Sequence, residues 1–205
     1  MELLLIRHGQ SVGNLEERIQ GQAEFPLTKK GRDQANALAK RLQKQDWSIS
    51  AVYASDQRRA AETAGILSSV LGTPLHLDAR LREYDFGELN GIVFREVETR
   101  YPDIWYAWHN SNEWAPFPGA EGNEAFHARL SASLTEILER HGESECVAVV
   151  SHGGSLGMIL ADMLGIDVHR PTPFFFGNAS LSIVQVTPRG PRLTLMNDTS
   201  HLDGE

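Results

Sequence analysis

Two histidines in this chain stand at the ends of apolar runs. Leu3-Leu4-Leu5-Ile6 leads into Arg7-His8-Gly9, and Cys146-Val147-Ala148-Val149-Val150 leads into Ser151-His152-Gly153-Gly154. An imidazole beside a guanidinium suits chemistry on an anion, because the planar fork of arginine matches phosphate oxygens two at a time. A glycine turn that enters a helix offers backbone N–H groups to the same ligand, and Ser11 and Asn14 follow within a turn's reach of His8. Between the histidines, Ser55-Asp56-Gln57-Arg58-Arg59-Ala60 again begins where an apolar run ends, with two arginines at a helix start. A cation there opposes the helix dipole, so it fits anion binding better than helix stability. Adjacent helical residues point about 100° apart, so one arginine of the pair is expected to face the ligand. A third stretch, Leu81 to Gly91, holds Glu83, Asp85 and Glu88 between glycines. A carboxyl beside a bound phosphate can hand a proton to a leaving oxygen, and spacing does not choose among the three.

These groups need elements that bring them together. Apolar residues at Ala35, Leu38, Ala39 and Leu42 have the i, i+3, i+4, i+7 spacing of a helix over 30–45, with Thr28 before it as an N-cap. The same pattern predicts helices over 56–71, 123–141 and 155–164, with strands at 50–55, 75–77, 145–151, 180–186 and 193–196. Alternating strands and helices imply an α/β fold, a three-layer sandwich whose central, mostly parallel sheet is flanked by helices. Ligands of open α/β sheets sit beyond the carboxyl ends of the strands, so two strand-end histidines on neighbouring strands would face one pocket. The segment 101–122 is the least regular. It carries Trp105, Trp108 and Trp114 among Pro102, Pro116 and Pro118, and prolines argue against a continuous helix there. It reads as an aromatic, flap-like insertion, or equally as a satellite hydrophobic cluster.

The 205 residues fit one domain spanning 1–205, and the formal charge of −8 disfavours a nucleic-acid partner. A local group of arginines can still override that sign for a small anion. Cys146, alone, forms no intrachain disulfide and is expected to be an inert buried thiol. The apolar stretch Leu3–Ile6 is too short for a secretion signal or a membrane span, so a cytoplasmic location and no membrane partner are expected.

Leu5-Ile6-Arg7-His8-Gly9-Gln10-Ser11, Ser55-Asp56 with Arg59-Ala60 and Thr63-Ala64, Leu81-Arg82-Glu83 with Phe86-Gly87, and Ser151-His152-Gly153-Gly154 occur in that order. Together they resemble the histidine phosphatase superfamily, the phosphoglycerate-mutase-like clan, and the resemblance spans residues 5–154. It implies a phosphoglycerate-mutase-like fold and a phosphomonoesterase that needs no cofactor or metal. His8 would be the nucleophile, Arg7, Arg59 and His152 a positive cradle, and Glu83 the proton donor. Asn14, Gln20, Gly21 and Gly153 would add contacts to a small phosphate ester.

Within that clan the alternative is a 2,3-bisphosphoglycerate-dependent mutase. Mutases resemble one another in basic residues after the glutamate and in a longer insertion with paired arginines. Here Tyr84 and Asp85 follow Glu83, Phe94 falls near the place of a lysine, and 101–122 contains no Arg or Lys, which favours a phosphatase. Gln22 stands where the family often has tryptophan, and Pro118-Gly119-Ala120-Glu121-Gly122 departs from the family pattern near the pocket rim. The ester and the oligomeric state, a homodimer included, are left open. A metal held by His8, His152 and a carboxylate would be repelled by Arg7 and Arg59, and a binding module would not need His8 and Glu83 together. His201 is expected to be structural or a rim contact.

Overall fold

The computed structural model describes residues 1–45, 47–110, 118–170 and 172–202. In chain order it runs β1 (Glu2–Arg7), α1 (Val12–Leu15), α2 (Lys29–Lys44), β2 (Ile49–Ala54), α3 (Arg58–Leu71) and β3 (Leu75–Leu77). Then come α4 (Val97–Arg100), α5 (Pro102–Asn110), α6 (Asn123–Arg140), β4 (Cys146–Ser151), α7 (Gly153–Met163), β5 (Leu181–Thr187) and β6 (Gly190–Asp198).

Six strands form one sheet in the order β3-β2-β4-β1-β5-β6. The first four are parallel; β5 joins β1 antiparallel, and β6 returns beside β5 through Pro188-Arg189, a link long enough for a hairpin and far too short for a crossover. The sheet is therefore mixed. Side chains alternate along β1, so Leu4 and Ile6 pack with Leu38 and Leu42 of α2 and Leu67 of α3 on one face. Leu3 and Leu5 pack with Phe126 and Leu130 of α6 and Leu156 and Leu160 of α7 on the other. Helices cover both faces, giving three layers, and strands buried on both sides read as unbroken apolar runs. Thr28 caps α2 through the Gly31 N–H at 3.0 Å, as its sequence predicts.

Two elements differ from expectation. Pro102 does not prevent a helix; it opens α5 as its first residue, a position where its missing N–H costs nothing. Trp105 and Trp108 therefore ride on a helix, whereas Trp114 and Pro116 lie outside the described residues. Gly153 and Gly154 form the first turn of α7 instead of a turn before it, for a reason that lies in the site. Among the described residues, no helix is long and apolar enough to cross a membrane.

Candidate active site

Strand register sets the site. Arg7 pairs with Ser151 and Ala54 with Val150, so β1, β4 and β2 end level at one edge and deliver His8, His152 and Ser55 side by side. The His8 and His152 rings lie 5.2 Å apart, edge to face. His8 donates from Nδ1 to its neighbour's carbonyl, Gly9 O, at 2.7 Å, which fixes the tautomer and leaves the lone pair on Nε2. Burial pushes its pKa well below the ordinary 6.5, and Arg59 and Arg7 push the same way against the Gly9 hydrogen bond. The imidazole is thus neutral and nucleophilic at neutral pH.

Arg59 is buried while Arg58 is exposed, so one arginine of the pair turns inward, as helix geometry requires. Its guanidinium donates to Gly21 O (2.7 Å), Ala23 O (2.9 Å) and His152 Nδ1 (3.2 Å). Arg7 donates to Phe176 O at 2.5 Å, and its Nε is buried without a partner. Among the described residues neither guanidinium forms an ion pair, though the carboxylate of Glu83 acts on both at longer range. Burial lowers the pKa of both, that of Arg59 to about 10, with Glu83 pulling back in each case.

Glu83 is selected from the three carboxylates by position. Its oxygens accept the N–H groups of Gly154 (3.0 Å) and Ser155 (3.1 Å) in the first turn of α7, which fixes the carboxyl at the cavity. A Cβ on Gly154 would come 2.6 Å from Glu83 Oε1, so glycine makes the room. Asp85 instead binds the N–H of Gly87 (2.9 Å) and the Asn90 amide (2.5 Å), and Glu88 faces solvent.

Arg7, His8, Arg59, Glu83, Asn14, Gln20, Gly21 and Gly153 line one cavity of about 600 Å³. Asn14 Oδ1 accepts from Ser11 N (3.1 Å) and Asn178 Nδ2 (3.1 Å), which turns its amide donor outward. Gly21 takes φ +47°, with its carbonyl aimed at Arg59. Gln20 Oε1 accepts from Ser11 Oγ at 2.7 Å.

The turn after His8 does not offer open N–H groups as its sequence suggests. The N–H groups of Gly9, Gln10 and Ser11 already serve Thr63 Oγ1 (3.1 Å), Gln34 Oε1 (2.9 Å) and Asn14 Oδ1 (3.1 Å). The Arg58 N–H at the start of α3 is taken by the Glu24 carboxylate at 2.9 Å. At these two turns the N–H groups are therefore taken, and Arg7, Arg59 and Asn14 are the side chains that face the cavity. His152 stands behind the cavity wall, with Nδ1 accepting from Arg59 and Nε2 bonded to Ser55 Oγ at 2.9 Å; burial and then Arg59 lower its pKa well below 6.5. His201 lies far along the chain against Arg41 of α2, a structural place. No group of three or more His, Cys, Asp or Glu is arranged to hold a metal among the described residues.

The family model for the histidine phosphatase superfamily (branch 1) matches residues 3–199. The chain belongs to this superfamily. A Yersinia pestis protein named "Probable phosphoglycerate mutase GpmB" is 34% identical over 212 residues, covering 99% of this chain and 95% of that one. The α-ribazole phosphatase of Shigella flexneri superposes with a TM-score of 0.86 at 28% identity, over 97% of each chain. Mycobacterial glucosyl-3-phosphoglycerate phosphatase, solved with VO3, gives 0.85 at 31%, over 96% of this chain and 98% of that one.

This histidine phosphatase homologue also uses residues that its sequence motifs do not single out. Gln57 accepts the Glu83 N–H (2.9 Å) and donates to Gly21 O (3.0 Å), tying the two loops together. Arg129 holds Glu121 by two bonds (2.7 and 2.8 Å) and donates to the carbonyls of Arg80, Arg82 and Glu83. Phe174, Phe175 and Phe176 line the cavity; three successive phenylalanines after Pro173 were the available sign.

Proposed function

We propose that the chain is a phosphomonoesterase working through a phosphohistidine at His8, with Glu83 as proton donor and no cofactor. One observation carries the reading: a neutral imidazole, its Nδ1 committed to Gly9 O, faces a cavity between two guanidiniums that form no ion pair among the described residues. Phosphoryl transfer is mostly positioning and charge stabilisation, and this arrangement supplies both.

In the first step the His8 Nε2 lone pair forms the N–P bond as the P–O ester bond breaks. Glu83 gives its proton to the departing alkoxide. Arg7 and Arg59 hold the phosphoryl oxygens, and the Asn14 amide donates to one of them. In the second step water forms the new O–P bond, the N–P bond breaks, and Glu83 takes the water proton. His152 acts through Arg59, which it holds in place.

The phosphatase names of the structural relatives and the absence of Lys or Arg in 101–122 support hydrolysis. The relation to the Yersinia pestis protein favours a mutase as the second reading. Phosphate release from p-nitrophenyl phosphate in excess EDTA separates the possibilities. Wild type is expected to turn over with chelator present, and His8→Ala to lose about a thousandfold or more. Loss of wild-type activity to EDTA contradicts the proposal. Exchange between 3- and 2-phosphoglycerate primed by 2,3-bisphosphoglycerate, without phosphate release, supports the mutase.

A further inference from the structure

Beyond the guanidiniums the cavity wall is aromatic. Phe86, Phe94, Trp108, Phe174 and Phe175 reach it from four separate stretches of chain. The Phe94 and Trp108 rings stack with centroids 5.9 Å apart and planes inclined by 13°, and Trp105 backs Phe94 at 5.5 Å. The wall thus offers a supported flat face, which suits another ring better than a flexible chain.

Exposure points the same way. Phe175 is 70% exposed and Phe94 45%. Large apolar side chains gathered at a cavity mouth mark a surface that a ligand covers.

Charge then limits what the ligand carries. Arg18 lines this end, but its Nε is bonded to the Glu16 carboxylate at 2.6 Å and an N–H to Gly91 O at 2.7 Å. His109 donates from Nδ1 to the carbonyl of Trp105 at 2.8 Å. Among the described residues this end of the wall offers no uncompensated fixed charge, so a carboxylate or ammonium on the ligand would leave water at a desolvation cost without return.

We infer that the alcohol half of the substrate is uncharged and carries a flat aromatic ring packed against the Phe94–Trp108 face. This rests on the phosphomonoesterase reading, with the phosphoryl group at His8. Phe94, Trp108 and Phe175 then set specificity, and the guanidiniums hold what all phosphate esters share.

The test compares naphthalen-1-ylmethyl phosphate, ethyl phosphate and phosphoserine. All three are esters of primary alcohols, which limits differences in leaving-group acidity. The expected kcat/KM for the naphthylmethyl ester exceeds that for ethyl phosphate by about thirtyfold, the worth of burying a ring on an aromatic face. Phe94→Ala, Trp108→Ala and Phe175→Ala should each shrink that ratio severalfold, and the exposed Phe175 gives one variant whose folding is safe. A wild-type ratio near one, a preference for phosphoserine, or a ratio that none of the three variants moves overturns the inference while phosphate release upholds the parent reading. A folded protein that releases phosphate from none of the three esters overturns both.

Discussion

Arg7 and Arg59 on the cavity side of the Glu83 loop, and Arg80, Arg82 and Arg129 beneath it, make opposite use of one side chain. Beneath the loop every guanidinium has its carboxylate: Arg80 with Asp78 and Glu136, Arg82 with Asp56, Arg129 with Glu121. On the cavity side the partners are carbonyls, an imidazole and, for Arg7 Nε, nothing. Paired arginines hold the backbone on which Glu83 sits. Behind burial, Arg7 lowers the pKa of Arg59, and both arginines lower that of His8, so an anion held between them would offset their mutual repulsion. One set serves the fold and the other holds charge in reserve for a ligand.

Four experiments probe that division. The largest effect is expected from Arg59→Met, which should cut kcat/KM by about 10²–10³. It removes a buried charge but leaves Gly21 O, Ala23 O and His152 Nδ1 without their donor, so its melting temperature should fall less than that of Arg129→Met. A large fall in melting temperature would place Arg59 in the structural set. Arg129→Met should do the reverse. It orphans Glu121 and three carbonyls and is expected to cost about 3 kcal/mol of stability by urea unfolding; an unchanged midpoint would break the comparison.

Gln57→Leu removes the tie between Glu83 and Gly21 while keeping the volume buried. Turnover should fall about tenfold through misplacement of the acid, with KM changed less than kcat; an equal loss in both would deny the positioning role. The smallest effect concerns pH. His8 and His152 have depressed pKa values in the folded state, so both are neutral there and bind protons more readily once unfolded. Their contribution to stability is complete above the ordinary value of 6.5 and is lost as pH falls below it, by up to about 1.4 kcal/mol per pH unit for each. Denaturation midpoints at pH 7 and pH 5 should differ less in His8→Gln than in wild type. An unaltered slope would mean that His8 is already protonated.

Much of this was legible because the His8, Ser55–Arg59 and His152 blocks each lie at a strand end, where an apolar run stops at a polar stretch. The four parallel strands follow that punctuation, whereas the choice of Arg59 over Arg58 and of Glu83 over Asp85 and Glu88 comes from the family resemblance. What escaped depends on contacts distant in sequence. The hydrogen bonds that consume the N–H groups of Gly9, Gln10 and Ser11 come from Thr63, Gln34 and Asn14, so a turn that looks open to an anion is closed. Gly153-Gly154 reads as a loop until Glu83 is seen to occupy the space above it. Pro102 reads as a breaker because its place at the first position of α5 depends on where the helix begins. Arg129 and Gln57 carry no local sign, since a solvated arginine on a helix and a glutamine at a helix start are ordinary.

The proposed mechanism stands on a covalent intermediate at His8. Wild-type enzyme mixed with 32P-labelled phenyl phosphate and quenched in alkali should carry label that is stable to base, released by acid and mapped to the peptide containing His8. His8→Ala should carry none. Turnover by wild type with no label trapped under any quench, or with label on another residue, would contradict the account.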